Sequence, residues 1–232
     1  MSLPTTDPNV IPQELLDTAQ VPGQVGELQL YRHDEDFILR VRGTDLMSSR
    51  VHGSEELLAE LALDRLPGSG SARVLVGGLG MGFTLARVLD LVGTEAWVDV
   101  VELVPKVVAW NREWLGELNG HPLRDPRVTV IEGDVAQHIR DANSSYDTIL
   151  LDVDNGPEGL TRDANDWLYD HRGLTTAGDA LRPGGVLAIW SAAYHPWFSD
   201  RLRAAGFEVL EQPVRARRTK GARRTIWLAS RR

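Results

Sequence analysis

The stretch RVLVGGLGMGF at residues 73–83 constrains this chain more than any other part of it. Val74 to Val76 is a short apolar run of the kind that forms a buried parallel strand. Gly78, Gly80 and Gly82 then make a turn that residues without a side chain adopt most easily. Phe83 to Leu91 reads as a helix. About twenty residues further on, a second apolar run, WVDVVELV at 97–104, passes through Glu102. An acidic residue at that place is positioned to hydrogen-bond the ribose hydroxyls of a nucleotide-type ligand lying over the glycine turn.

From residue 73 onward, strand and helix patterns alternate. Strands are expected at 73–77, 97–102, 127–132, 146–152 and 185–191, and helices at 82–92, 105–118, 134–141, 167–182 and 195–206. Apolar strands alternating with helices predict an α/β fold, a Rossmann-like, doubly wound and mostly parallel sheet. FEVLEQPV at 207–214 and RRTIWLAS at 223–230 predict a terminal antiparallel hairpin. Ahead of the sheet, residues 1–22 read as an extended lead-in punctuated by prolines. GELQLYR at 26–32 and DFILRVRG at 36–43 read as a β-hairpin, and a helix follows with Ser54 as its expected N-cap. The division expected is an N-terminal extension over 1–70, with hairpin and helix, and a Rossmann-like domain over 71–232.

Zero cysteines exclude disulfides, thiolate catalysis and cysteine-ligated metals. His52, His171 and His195 have no metal-ligand spacing, so no metal is expected. No apolar run is long enough to span a membrane and the first twenty or so residues do not read as a signal peptide, which gives the cytoplasm as the expected location. The net charge is −8, yet Arg215, Arg217, Arg218, Lys220, Arg223, Arg224, Arg231 and Arg232 cluster at the end of the chain. The reading adopted is a solvated hairpin tip whose charges guard an edge strand. Nucleic acid is not an expected partner, since no aromatic residue interleaves Arg215 to Arg224.

In a doubly wound sheet the ligand lies outside the carboxyl ends of the strands. Asp134, after the third strand, is placed to accept from an adenine amino group; taken alone it reads equally as a helix cap. Asp152, Asp154 and Asn155 follow the fourth strand. With Gly78, Gly80, Met81 and Gly82, the candidate cofactor-binding set is Glu102, Leu103, Asp134, Val135 and Asp152. The turn lacks the Lys-Ser/Thr pair of a phosphate-gripping loop, and Phe83 stands where a dinucleotide motif would carry its last glycine. An adenosine ligand without a pyrophosphate fits better.

The segments VLVGGLGMG, VDVVELVPKVV, VTVIEGDV, YDTILLDVDNGP and LRPGGVLA, in that order, resemble the spermidine synthase family, a branch of the class I S-adenosylmethionine-dependent methyltransferase fold. The resemblance implies a co-substrate that is S-adenosylmethionine or its decarboxylated form, an amine acceptor such as putrescine, and a homodimer. It implies that Glu102 holds the ribose and Asp134 the adenine, and that Asp152 helps deprotonate the attacking amine. Three departures touch the polyamine half. Met81 stands where the family's glycine turn carries an aspartate that grips the aminopropyl ammonium. Ser54 stands where the family carries a tyrosine, and the loop at 152–157 is rewritten. Loss of the turn's carboxylate removes a repulsion against the carboxylate of intact S-adenosylmethionine.

The expectation is therefore a methyltransferase-type enzyme acting on a small, amine-bearing acceptor. Its alternatives are a polyamine aminopropyltransferase with a divergent acceptor pocket and a non-catalytic nucleoside-binding protein. Asp152 and Asp154 are the candidate catalytic acids. Asn155, Trp167 and Tyr169 are the candidate acceptor contacts, the two aromatics forming either a wall over the acceptor or packing at the start of the following helix.

Overall fold

Strand β5 (Arg73–Gly77) lies at the centre of a seven-stranded sheet, and Val74, Leu75 and Val76 are fully buried. Burial on both faces explains the unbroken apolar run, since neither face meets water. The computed structural model of the chain describes residues 13–23, 26–153 and 166–231. The sheet order is β10-β11-β9-β8-β5-β6-β7, in which β6 is Trp97–Glu102, β7 Val128–Glu132, β8 Tyr146–Leu151 and β9 Leu181–Ser191. Strands β5 to β9 pair in parallel, while β10 (Phe207–Arg217) and β11 (Lys220–Arg231) close the edge as an antiparallel hairpin. The chain runs outward from β5 to β6 and β7, then returns to β8 on the other side of β5. The carboxyl ends of β5 and β8 therefore form the switch point where such sheets open a crevice.

The helices are α1 (Gly53–Leu63), α2 (Phe83–Leu91), α3 (Pro105–Glu113), α4 (Val135–Asp141), α5 (Asp166–Tyr169), α6 (His171–Ala180) and α7 (Pro196–Ala204). Two differ from expectation. The helix expected over 105–118 ends at Glu113 and continues as a 3-10 turn at Leu115–Asn119. The helix expected over 167–182 is broken at Asp170, whose side chain accepts from the Gly173 N–H at 2.7 Å and starts α6. A Cβ at Gly173 would sit 1.8 Å from the Trp167 carbonyl oxygen, so only glycine permits this junction.

The N-terminal hairpin is part of a larger element. A four-stranded antiparallel sheet runs in the order β1 (Glu14–Gln20), β2 (Glu27–His33), β3 (Asp36–Val41), β4 (Thr44–Ser48). Strand β1 falls within the expected lead-in. Its register slips between Leu15 and Asp17, and that bulge breaks the period-two pattern by which a strand is recognised. The Asp17 carboxylate accepts from Trp110 Nε1 at 2.9 Å and Lys106 Nζ at 2.8 Å, tying this sheet to α3. Ser54 is not the cap of α1, because the N-cap position is His52; the Ser54 hydroxyl donates instead to Glu55 Oε2 at 2.6 Å.

The basic hairpin tip is not simply solvated. Arg218 pairs with both Glu56 and Glu60 of α1, at 2.8 and 2.6 Å. A Cβ on Gly53 would meet the Arg218 backbone nitrogen at 2.9 Å, so the tip lies directly on the start of that helix.

Candidate active site

The glycine turn is held by its backbone. The Gly78 N–H donates to the Val101 carbonyl and the Asp152 N–H to the Gly77 carbonyl, both at 2.9 Å, which draws the ends of β5, β6 and β8 together. Gly78 has φ +89°, and a Cβ there would lie 2.4 Å from the Asp152 carbonyl oxygen. Glu102 is 8% exposed, and its two carboxylate oxygens accept from Leu79 N–H at 2.9 Å and Val104 N–H at 2.8 Å. Burial pushes its carboxyl above the ordinary value, against the pull of these donors. From α3 and the following 3-10 turn, Asn111 Nδ2 donates to the Gly80 carbonyl and Asn119 Nδ2 to the Met81 carbonyl, each at 2.8 Å.

A cavity of about 180 Å³ opens at this point. One side is the turn and strand ends: Gly78, Gly80, Glu102 and Leu103. Asp134 and Val135 form the neighbouring wall, and Asp134 is at the same time the N-cap of α4, accepting from Ala136 N–H at 2.9 Å. Capping and cavity lining are thus both features of this one residue. Opposite stands the N-terminal sheet, with Leu28, Leu39, Val41 and Met47 giving an apolar face. The remaining wall is Asp152, Trp190 and a residue absent from the sequence-derived set, Glu55.

Two expected cofactor residues are placed elsewhere. Met81 is completely buried in the core and is not on the cavity wall; the turn residue facing the cavity there is Gly80, where a Cβ would meet Met47 Sδ at 2.7 Å. Met81 therefore does not act on the donor as expected: its side chain points into packing, and what bears on the donor is that residues 78–82 contain no acid at all. Gly82 is also off the wall. It is the left-handed N-cap of α2, with Asn111 and Asn119 at 3.0 Å from where its Cβ would be. Trp167 and Tyr169 are not on the wall either. Tyr169 is 2% exposed and packs edge-on to Phe198, while the Arg140 guanidinium lies 3.7 Å over the Trp167 ring. They pack the α5–α6 junction. Asp154 and Asn155 lie outside the described residues.

Glu55 and Asp152 are two of the four acids on the cavity wall, and they stand on either side of Thr84. Thr84 Oγ1 links them, donating to Asp152 Oδ2 at 2.7 Å and lying 3.4 Å from the Glu55 carbonyl oxygen. Burial raises the Asp152 carboxyl to about 6 although the Thr84 hydroxyl pulls it down. Burial first, and the Asp152 charge second, raise Glu55 to about 7. The pair therefore titrates as a unit, with burial raising both carboxyls. In the sequence Glu55 looks like any acidic residue in a helix's first turn, and its neighbour Glu56 is one, facing out to Arg218. Only the docking of α1 on the sheet separates their roles.

A parallel sheet with a glycine turn at its switch point, an acid closing the second strand and a half-buried acid after β8 defines a class I methyltransferase-like fold. Comparison with known proteins narrows this. The Spermine/spermidine synthase domain matches residues 51–204. The chain belongs to the spermine/spermidine synthase family. It is 34% identical to putrescine N-methyltransferase 1 of Nicotiana tabacum over 141 residues, 58% of this chain and 35% of that protein. It is 32% identical to polyamine aminopropyltransferase 2 of Streptomyces coelicolor over 216 residues, 89% of this chain and 36% of that protein. The chain spans about a third of the length of these curated relatives, both of which are transferases by name. The spermidine synthase of Thermotoga maritima superposes with a TM-score of 0.73 at 18% identity, over 94% of this chain and 73% of the other, and shares the fold. No helix among the described residues is long and apolar enough to cross a membrane, and no group of three or more His, Asp or Glu among them is arranged to hold a metal.

Proposed function

We propose that this chain is a transferase that takes S-adenosylmethionine in the cavity and moves its methyl group to a small amine. The observation that carries the reading is the distribution of charge in the cavity: Glu55 and Asp152 on its wall and no acid in the turn at 78–82. Glu102 and Asp134 would take the ribose and the adenine amino group, with Leu103 and Val135 against the base. A turn without an acid leaves the carboxylate of the intact cofactor unopposed, whereas the decarboxylated donor presents only an ammonium there. The cofactor supplies a methyl carbon on a sulfonium, so the protein's task is to align an acceptor nitrogen in line with that carbon. Asp152 is placed to receive the proton that an attacking ammonium must lose.

Product analysis tests the reading. Incubation with S-adenosylmethionine and an amine pool should give S-adenosylhomocysteine and a methylated amine. Methylthioadenosine formed from the decarboxylated donor would instead establish aminopropyl transfer, in which the same acids would face the donor's ammonium. Donor binding without either product would leave a nucleoside-binding protein.

A further inference from the structure

Glu55 is 7% exposed, stands on the first turn of α1 and lines the cavity beside Asp152. Resting on the transferase reading above, we propose that Glu55 is the second acid of the acceptor subsite, and that with Asp152 it holds a small amine arriving as an ammonium ion and takes up its proton. A buried and a half-buried carboxylate on one wall repel each other unless a cation or a proton lies between them. An ammonium supplies both. It offsets one of the two charges on binding, and the proton that leaves the nitrogen stays on the pair.

The other groups around Glu55 do not do this. Its own Ser54 hydroxyl donates to Oε2, and Thr84 of α2 is engaged with Asp152. Arg87 of α2 pairs with Glu60, and Arg218 at the tip of β10–β11 pairs with Glu56 and Glu60. Arg224 of β11 pulls Glu55 down by its charge but lies over the Trp190 ring, 5.6 Å from its centroid. A second observation points to a ligand at the same wall. Trp190 of β9 lines the cavity, is 8% exposed, and its Nε1 has no hydrogen-bond partner among the described residues. A buried donor left unmet is costly unless a bound molecule brings an acceptor to it, so Trp190 points to a ligand in this cavity, though not to the ammonium itself, which has only donors.

The step balances. An N–H bond of the ammonium breaks and its proton goes to the Glu55–Asp152 carboxylate pair. The electron pair left on nitrogen forms the new N–C bond. The C–S bond of the donor sulfonium breaks with its pair remaining on sulfur, leaving a neutral thioether and an alkylated ammonium.

The test is calorimetric titration of the full chain, saturated with S-adenosylhomocysteine, with putrescine, butylamine and 1,4-butanediol. At least one amine should bind and the diol should not. Glu55→Gln should lose about ten- to a hundredfold in amine affinity, the loss of a charge-assisted hydrogen bond. S-adenosylhomocysteine affinity should stay within about twofold, and Glu55→Asp should recover part of the loss. Glu56→Gln, one residue along the same helix, should bind amine as wild type does. Amine binding unchanged in Glu55→Gln, or a wild-type protein that takes S-adenosylhomocysteine but no amine, would overturn the assignment. Failure of S-adenosylhomocysteine itself to bind would instead bring down the transferase reading on which it rests.

Discussion

Glu55→Gln makes a prediction about stability that requires no substrate. A carboxyl whose value is raised on folding favours the folded state below its unfolded value and loses that contribution as pH rises through its folded value. For Glu55 the two values are 4.5 and about 7, with burial the main cause and the Asp152 charge the second. At about 1.4 kcal/mol per pH unit, ionising Glu55 inside the cavity costs the folded protein about 3 kcal/mol by pH 8. An uncharged glutamine does not carry this cost. Denaturant unfolding of both proteins at pH 4.5 and pH 8 measures the difference. Relative to wild type, Glu55→Gln should gain about 2–3 kcal/mol between the two pH values, because Asp152 is also relieved of a like charge. A gap that stays constant within about 0.5 kcal/mol would refute the reasoning, since Glu55 would then be solvated as well when folded as when unfolded. The wild type therefore gives up stability at neutral pH to keep the second acid, which is the expected cost of a functional carboxylate pair.

Three further outcomes follow from the turn and its supports. Gly78→Ala should cost about 2–4 kcal/mol in denaturant unfolding, a left-handed penalty plus collision with the Asp152 carbonyl; Gly120→Ala, also at positive φ but with open space around it, should cost only about 1–2 kcal/mol. Equal costs would mean that the close approach of β5 and β8 carries no weight. Glu102→Gln should weaken S-adenosylmethionine binding by about 1.5–3 kcal/mol in calorimetry, and a loss below about threefold would leave Glu102 with the turn alone as its role. Asp17, held down to about 2 chiefly by the Lys106 hydrogen bond and then by Trp110, contributes stability above pH 3.8 that disappears as pH falls through 2. Asp17→Asn should abolish that acid limb at a cost of about 1 kcal/mol at pH 7, measured by unfolding across pH 2–5, the small figure reflecting a partly exposed pair.

The sheet was legible because its strands are buried on both faces. Val74–Val76 and Ile149–Leu151 are wholly apolar and Val98–Val101 is broken only by Asp99, and each leads into the glycine or acid that lines the cavity. Seven of the expected contacts, Gly78, Gly80, Glu102, Leu103, Asp134, Val135 and Asp152, line one cavity, each at or just beyond the carboxyl end of a strand. What was not legible depends on tertiary docking. Strand β1 hides behind a bulge, and the apolar wall of Leu28, Leu39 and Met47 looks like an ordinary sheet face until it is set over the turn. Met81 was misplaced because a turn with three left-handed glycines reverses which side chains face out, a detail that spacing alone does not encode. Glu55 and Glu56 are indistinguishable as letters, and the helix's rotation against β8 and β11 decides which one is buried.

The most direct test of the central claim is calorimetric titration of the purified protein with S-adenosylmethionine and, separately, with its decarboxylated form. Tighter binding of the intact cofactor is the predicted result, because the turn offers no acid to the decarboxylated donor's ammonium and no repulsion to the intact donor's carboxylate. Clear preference for the decarboxylated form would contradict it, and would mean that Glu55 and Asp152 serve the donor rather than the acceptor.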